Sequence, residues 1–147
     1  MAQKSSKMIW KNILVGILLI VITILIHSIV TRYILHIVKK KNTTKNTHIG
    51  QSNEFWVAVM VLIMFLTSLF EASIWAFVYH WLGALPDFGS ALYFSIVTFT
   101  TLGYGDITLN ETWRLLASFE AVLGIIVFGW STAIVMAVVQ KLYFRKS

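Results

Sequence analysis

Thr98-Phe99-Thr100-Thr101-Leu102-Gly103-Tyr104-Gly105-Asp106 is the stretch on which the reading of this chain turns. Two glycines two positions apart, behind threonines, permit φ values that a Cβ opposes. Successive carbonyls of residues 101–105 can then turn toward one axis. An isolated Gly-Tyr-Gly is an ordinary turn between helices, so the flanking sequence decides the matter.

Those flanks are apolar. The 147 residues include no cysteine and one proline, and only 12% are charged, against about 25% in a soluble domain. Residues 12–31 carry no charge. Across 55–85 the only charge is Glu71, and across 115–140 it is Glu120. At about 1.5 Å per residue each run spans a hydrocarbon core of roughly 30 Å. Three transmembrane helices are expected. The first run exceeds a signal-peptide core of about 7–15 residues and no small-residue cleavage pattern follows it, so it reads as a retained helix. Disulfide stapling is excluded by the lack of cysteine.

The net charge of +6 resembles a nucleic-acid footprint but is better explained by topology. Lys39, Lys40, Lys41 and Lys45 lie between the first two runs, and Lys141, Arg145 and Lys146 follow the third. Basic residues gather on the cytoplasmic side of membrane proteins. Asp87, Asp106 and Glu111 surround the glycine-rich stretch, which places it outside, with the C-terminus cytoplasmic and the chain multi-pass in the plasma (cell inner) membrane. Lys4, Lys7 and Lys11 are then external if the first helix spans; the alternative is a first helix that does not fully cross.

The expected organisation is a polar tail over 1–11, an N-terminal transmembrane helix over 12–41 and a cytoplasmic linker over 42–53. Ser52-Asn53-Glu54 supplies a cap and a first-turn acid for an outer helix over 54–83. Pro86 disfavours helix in the residue before it, and Asp87 or Ser90 can cap the next helix. The apolar segment over 90–100 is too short to cross and must re-enter, which lipid tolerates only for backbone buried in protein or lining water. A third spanning helix occupies 112–142. There is no internal repeat, so one chain supplies one loop.

Residues 54–142 resemble the pore module of tetrameric potassium channels, especially small bacterial ones, over about three-fifths of the chain. The motif run 98–106 carries the resemblance, with Leu102 where the family often has valine. Ala91-Leu92-Tyr93-Phe94-Ser95 is similar to the family's pore-helix opening, and Trp113-Arg114-Leu115 to the start of its inner helix. The resemblance implies an all-α homotetramer in the lipid bilayer, each subunit adding three transmembrane helices, a re-entrant pore helix and a filter strand. Thr101, Leu102, Gly103, Tyr104 and Gly105 would hold permeant K⁺ by replacing its hydration shell with rings of carbonyls. Thr100, Tyr93, Phe94 and Asp106 would support that filter, the two aromatics as a cuff around Tyr104. Gly124 and Gly129 fall at the hinge and near the intracellular constriction. Val97 stands where a bacterial relative has a glutamate that bonds the filter aspartate, so Asp106 needs another partner. The inner helix lacks a Pro-x-Pro bend. The first helix lacks the repeated arginines of a voltage sensor, and with few residues after the inner helix no nucleotide- or calcium-binding gating domain is expected.

Ile125, Phe128, Thr132 and Met136 recur at helical spacing and are expected to line the pore, although such a stripe also suits plain helix packing. Four copies of Asp106 make an external negative ring, or the side chain braces the filter backbone. An ionised Glu71 at mid-membrane costs roughly 2.5–3.5 kcal/mol, so it is protonated or paired inside the bundle; a structural hydrogen bond and proton sensing are both open. Glu120 is expected to bond the pore helix. His27, His36, His48 and His80 have no metal-ligand spacing, which leaves K⁺ at the filter as the sole metal and no organic cofactor. Trp56, Trp75, Trp81 and Trp113 read as interfacial anchors. No catalytic constellation is present, no enzyme activity is expected and no nucleic acid is implied as a partner. The expected function is passive, selective K⁺ conduction. The alternatives are a weakly selective cation channel, a potassium-uptake transporter subunit and a non-conducting accessory channel subunit.

Overall fold

The three long apolar runs form three helices long and apolar enough to cross a membrane, over Met8–Lys39, Glu54–Trp81 and Arg114–Lys141. A computed structural model describes the backbone of residues 2–43 and 51–143, and the side chains of 8–39 and 54–141. The elements are α1 (Ala2–Thr43), α2 (Gln51–Trp81), α3 (Phe88–Phe99) and α4 (Arg114–Tyr143), with no strand among the described residues. α2, α3 and α4 begin and end within three residues of the expected limits. α1 differs: the expected tail over 1–11 is helical from Ala2 onward. Nothing there stops a helix, since the segment holds no glycine or proline and several good helix formers. α1 also runs past Lys39 to Thr43, into the expected linker. Of that linker, residues 51–53 open α2 and 44–50 lie outside the described residues. So do the side chains of Lys4, Lys7, Lys40, Lys41, Lys45, Arg145 and Lys146 and the Ser52-Asn53 cap.

Local chemistry sets the turn from α2 into α3. Gly83 takes φ +66°, its N–H bonding the His80 carbonyl and the Ala84 N–H the Tyr79 carbonyl. This paired pattern is the Schellman ending, with glycine at the left-handed position. Pro86 comes next, and then Asp87 caps α3: its carboxylate accepts from the Ser90 N–H at 2.9 Å and the Ser90 hydroxyl at 2.7 Å. Of the two candidate caps, the structure selects Asp87. α3 has 12 residues, about 18 Å at helical rise.

α1 and α4 lie side by side and parallel, with α2 antiparallel to both. Asn12 donates to the Thr112 carbonyl at 2.6 Å, Lys11 sits 5.1 Å over the Trp113 ring, and His27 meets Ser131. Nearer the other end Ile34 and Val38 cluster with Met60, Met64 and Val138. α1 therefore accompanies α4 over the length of the span and does not stop partway. A second, larger cluster at the α3 end gathers Trp75, Tyr79, Phe94, Phe99, Leu116 and Leu123 around Leu19 of α1.

Between the two apolar clusters lies a polar layer. Thr23, His27, Thr31, Thr67 and Glu71 are all buried. His27 Nδ1 is 3.1 Å from Glu71 Oε1, its Nε2 is 3.3 Å from the Ser131 hydroxyl, and its ring meets Trp130 edge-on at 5.2 Å. Trp75 donates to Thr23 at 3.3 Å and is fully buried. The expectation that Trp75 and Trp113 face the interface as anchors is therefore corrected, because both point inward, while Trp81 is exposed.

Small residues set the closest approaches. A Cβ at Gly16 would come 2.6 Å from the Phe119 ring, and one at Gly124 would run into the backbone carbonyl of Phe99. Nothing lies within 4 Å of a Cβ at Gly129. Gly124→Ala should cost about 1–3 kcal/mol through overpacking, read as a lower melting temperature of the purified protein in detergent, while Gly129→Ala leaves that melt in place. His27→Leu should cost about 3–5 kcal/mol by leaving Glu71 unpaired, and the double variant His27→Leu/Glu71→Leu should recover most of the loss in the same assay.

Candidate functional site

The C-terminus of α3 holds the glycine-rich stretch by its backbone. The Val97 carbonyl accepts from the N–H of Leu102 at 3.0 Å and of Gly103 at 3.3 Å, and the Thr98 carbonyl from that of Thr101 at 2.9 Å. Thr100, the C-cap, turns its hydroxyl to the Ile96 carbonyl at 2.8 Å. Three successive N–H groups thus face α3. In a trans peptide the carbonyl points opposite its N–H, so the carbonyls of 100, 101 and 102 face away from α3.

The dihedrals continue this arrangement. Thr101, Gly103 and Gly105 have φ of 59°, 57° and 78°, and the residues between them do not share that sign. Alternating hand gathers N–H groups on one side of a backbone and leaves the carbonyls on the other. For Gly103 and Gly105 the requirement is conformational, since neither is crowded. Thr101 adopts the left-handed region as a β-branched residue, a genuine outlier. All five residues of 101–105 are exposed on the chain.

Asp106 comes directly after. Its carboxylate accepts the Tyr93 hydroxyl at 2.7 Å. That bond, together with the N–H groups of Asp106 and Ile107, holds the carboxyl below its ordinary value of 3.8 against a smaller opposing effect of desolvation. The partner that Asp106 requires in the absence of a glutamate at position 97 is thus Tyr93. The expected aromatic pair divides its work: Tyr93 holds Asp106, while Phe94 is buried edge-on against Tyr79 at 5.4 Å. Tyr104 projects from the chain surface. Beside it a cleft of about 440 Å³ opens between α3, the residues after 105 and the start of α4.

On α4, Ile125, Phe128, Thr132 and Met136 all lie exposed. The Phe128 ring stands edge-on to Phe99 at 6.2 Å, which places it just beyond the end of α3. Gly124, expected at a hinge, has a packing reason in its contact with Phe99; Gly129 sits in open space. Glu120 is fully buried against α3, as expected from its depth, and bonds Ser95 and Tyr79.

Three partners are not legible in the sequence: His27 for Glu71, and Tyr79 and Ser95 for Glu120. Metal-ligand spacing says nothing useful about His27. The usable signal is its place in a stripe with Thr23 and Thr31, four residues to either side, on a mostly apolar span.

The profile of a family described as an ion channel matches residues 67–141, just over half of the chain. The match runs from the middle of α2 through α3 and the glycine-rich stretch to the end of the third span. Among curated proteins, TWiK family of potassium channels protein 18 from Caenorhabditis elegans is 35% identical over 57 residues. That alignment covers 39% of this chain and 11% of the relative, so the shared part is a small portion of that protein. No solved structure matches the chain.

Since Asp106 is held below 3.8 by Tyr93, the bond contributes stability above 3.8 that is lost as pH falls through the lower folded-state value. Tyr93→Phe should raise the Asp106 titration toward 3.8, followed by carbon NMR of labelled aspartate. Wild type should melt above the variant at neutral pH, and the two melting temperatures should converge on acidification.

Proposed function

This chain belongs to the ion channel family, and from that premise we propose that it is a potassium-selective channel whose permeation path is the backbone of residues 101–105, repeated around a fourfold axis. The observation that carries the reading is the set of N–H groups from Thr101 to Gly103 turned back onto α3, with φ alternating in sign through Gly105. Each chain contributes an outward-facing row of carbonyl oxygens. Four such rows make stacked rings that take the place of water around a bare K⁺, and ions displace one another from ring to ring. The name of the C. elegans relative as a potassium channel supports this choice of ion.

The remaining residues take roles around that column. The C-terminal end of α3 presents the partial negative charge of its helix toward the axis, favouring a cation. Asp106, ionised and braced by Tyr93, adds a ring of negative charge at the mouth. Below the filter, the exposed stripe of Ile125, Phe128, Thr132 and Met136 lines the path in the tetramer. A ring of Phe128 or Met136 gates it by dewetting, with Gly129 the flexible point. The mouth faces outside and the C-terminus the cytoplasm. α1, parallel to α4, begins on the side of the mouth and completes the subunit's packing.

The test is flux into liposomes carrying the purified chain alone. K⁺ flux should exceed Na⁺ flux by orders of magnitude, and cross-linking should give a tetramer. Gly103→Ala and Gly105→Ala should each abolish conduction or selectivity, because alanine resists positive φ. Equal Na⁺ and K⁺ flux would leave a weakly selective pore, and no flux from the tetramer would leave an accessory subunit.

A further inference from the structure

Glu120 lies where α2, α3 and α4 meet, and its side chain is fully buried with those of Tyr79 and Ser95. Its Oε2 accepts the Tyr79 hydroxyl at 2.7 Å. Its Oε1 is 2.5 Å from the Ser95 Oγ, and the same Oγ is 2.6 Å from the main-chain carbonyl of Ala72.

Counting hydrogens decides the charge on this acid. A serine hydroxyl has one hydrogen to donate, and a carbonyl oxygen has none. The contact between Ser95 and Ala72 therefore uses the Ser95 hydrogen. The contact between Ser95 and Glu120 then needs a hydrogen from Glu120. If Glu120 were ionised, Ser95 could serve only one of two close oxygens, and a buried pair of lone-pair-bearing atoms would face each other unbonded. Both partners of Glu120 are hydroxyl groups, and the buried histidine–carboxylate pair of this chain, His27 with Glu71, lies elsewhere.

We propose that Glu120 is a neutral carboxylic acid in the folded channel, donating its proton to Ser95, and that it is a positioning residue for the selectivity filter. A relay results in which Tyr79 donates to Glu120, Glu120 to Ser95, and Ser95 to Ala72, so that every hydrogen and every acceptor is used. The relay ties α3 to α2 and α4 at its middle. Ser95 directly precedes Ile96 and Val97, whose carbonyls hold Thr100, Leu102 and Gly103. Fixing the rotation and depth of α3 at Ser95 therefore fixes where the filter carbonyls stand.

The role in selectivity rests on the potassium-channel reading; the neutral charge of Glu120 does not, and the experiment separates the two. Glutamine matches the neutral acid, with an N–H to donate toward Ser95 and a carbonyl to accept from Tyr79. Glu120→Gln should keep the wild-type K⁺-over-Na⁺ flux ratio in liposomes. Glu120→Ala should lower that ratio by about tenfold, the worth of roughly one buried hydrogen bond. Infrared spectra of the protein at neutral pH should show a protonated-carboxyl stretch that disappears in Glu120→Gln, with Glu71→Gln as the control for the other buried acid. An unchanged carboxyl band in Glu120→Gln, or loss of selectivity in that variant as complete as in the alanine variant, overturns the proposal. The infrared result stands even if alanine fails to fold. It also stands if wild type passes Na⁺ and K⁺ alike, an outcome that defeats the channel reading instead.

Discussion

Everything in this fold depends on one backbone problem: α3 is apolar but too short to cross a membrane, and its end is packed against the chain's own helices. A helix that crosses leaves its unpaired terminal groups in water, but in the proposed re-entrant arrangement a helix of 12 residues leaves its last carbonyls at depth. Lipid offers them nothing, so protein must. Here the loop after α3 does so. Val97 and Thr98 accept from the next N–H groups of the chain, and in turning back to make those bonds the loop directs its own carbonyls outward. The same bonds that finish the helix thus expose the oxygen row on which conduction is proposed to rest.

The spanning helices are arranged to serve that ending. Lipid tails are as apolar as leucine side chains, so burial of hydrocarbon gives little drive for helices to associate in a membrane. Close backbone approach and polar contacts decide instead. Gly124 lets α4 press against the backbone at Phe99, and Gly16 lets α1 press against Phe119. The layer of Thr23, His27, Glu71 and Ser131 then sets the register of α1 against α2 and α4. A buried pair such as His27 with Glu71 is weak evidence for stability. Its use is discrimination: sliding α1 by one turn would break the pair and set Thr23 or Thr31 opposite Glu71 in place of His27. The first helix is for that reason packed into the chain's own bundle against α2 and α4.

Much of this is legible in the sequence, for identifiable reasons. Span positions come from the absence of charge, and the half-helix from Pro86 and a run too short to cross. The glycines at 103 and 105 announce positive φ because few other residues take it. Depth alone places Glu120 against α3. Partners are harder to read. A helix that is apolar on every side has almost no amphipathic signal to say which face turns inward, so the inward turn of Trp75 is hidden; Trp113 lies in the turn before α4, where no helical period applies. His27 looks solitary because its partner is 44 residues away on another helix. Thr101 shows the limit most clearly, since nothing about a threonine predicts a φ of 59°.

That last residue also links stability to assembly. A non-glycine residue in the left-handed region costs of order 1–3 kcal/mol, and such strain persists only where the surroundings over-determine it. Within one chain the restraint on Thr101 is its N–H on Thr98 and the two neighbouring bonds to Val97, while residues 101–105 stand exposed. A row of carbonyls in that state gains nothing from being held in line. In the proposed tetramer, three more rows and a bound cation supply the missing interactions, and the strained backbone becomes the arrangement of lowest energy. The filter conformation is then shared by four chains and the ion, and each chain contributes the half of the restraint that α3 provides.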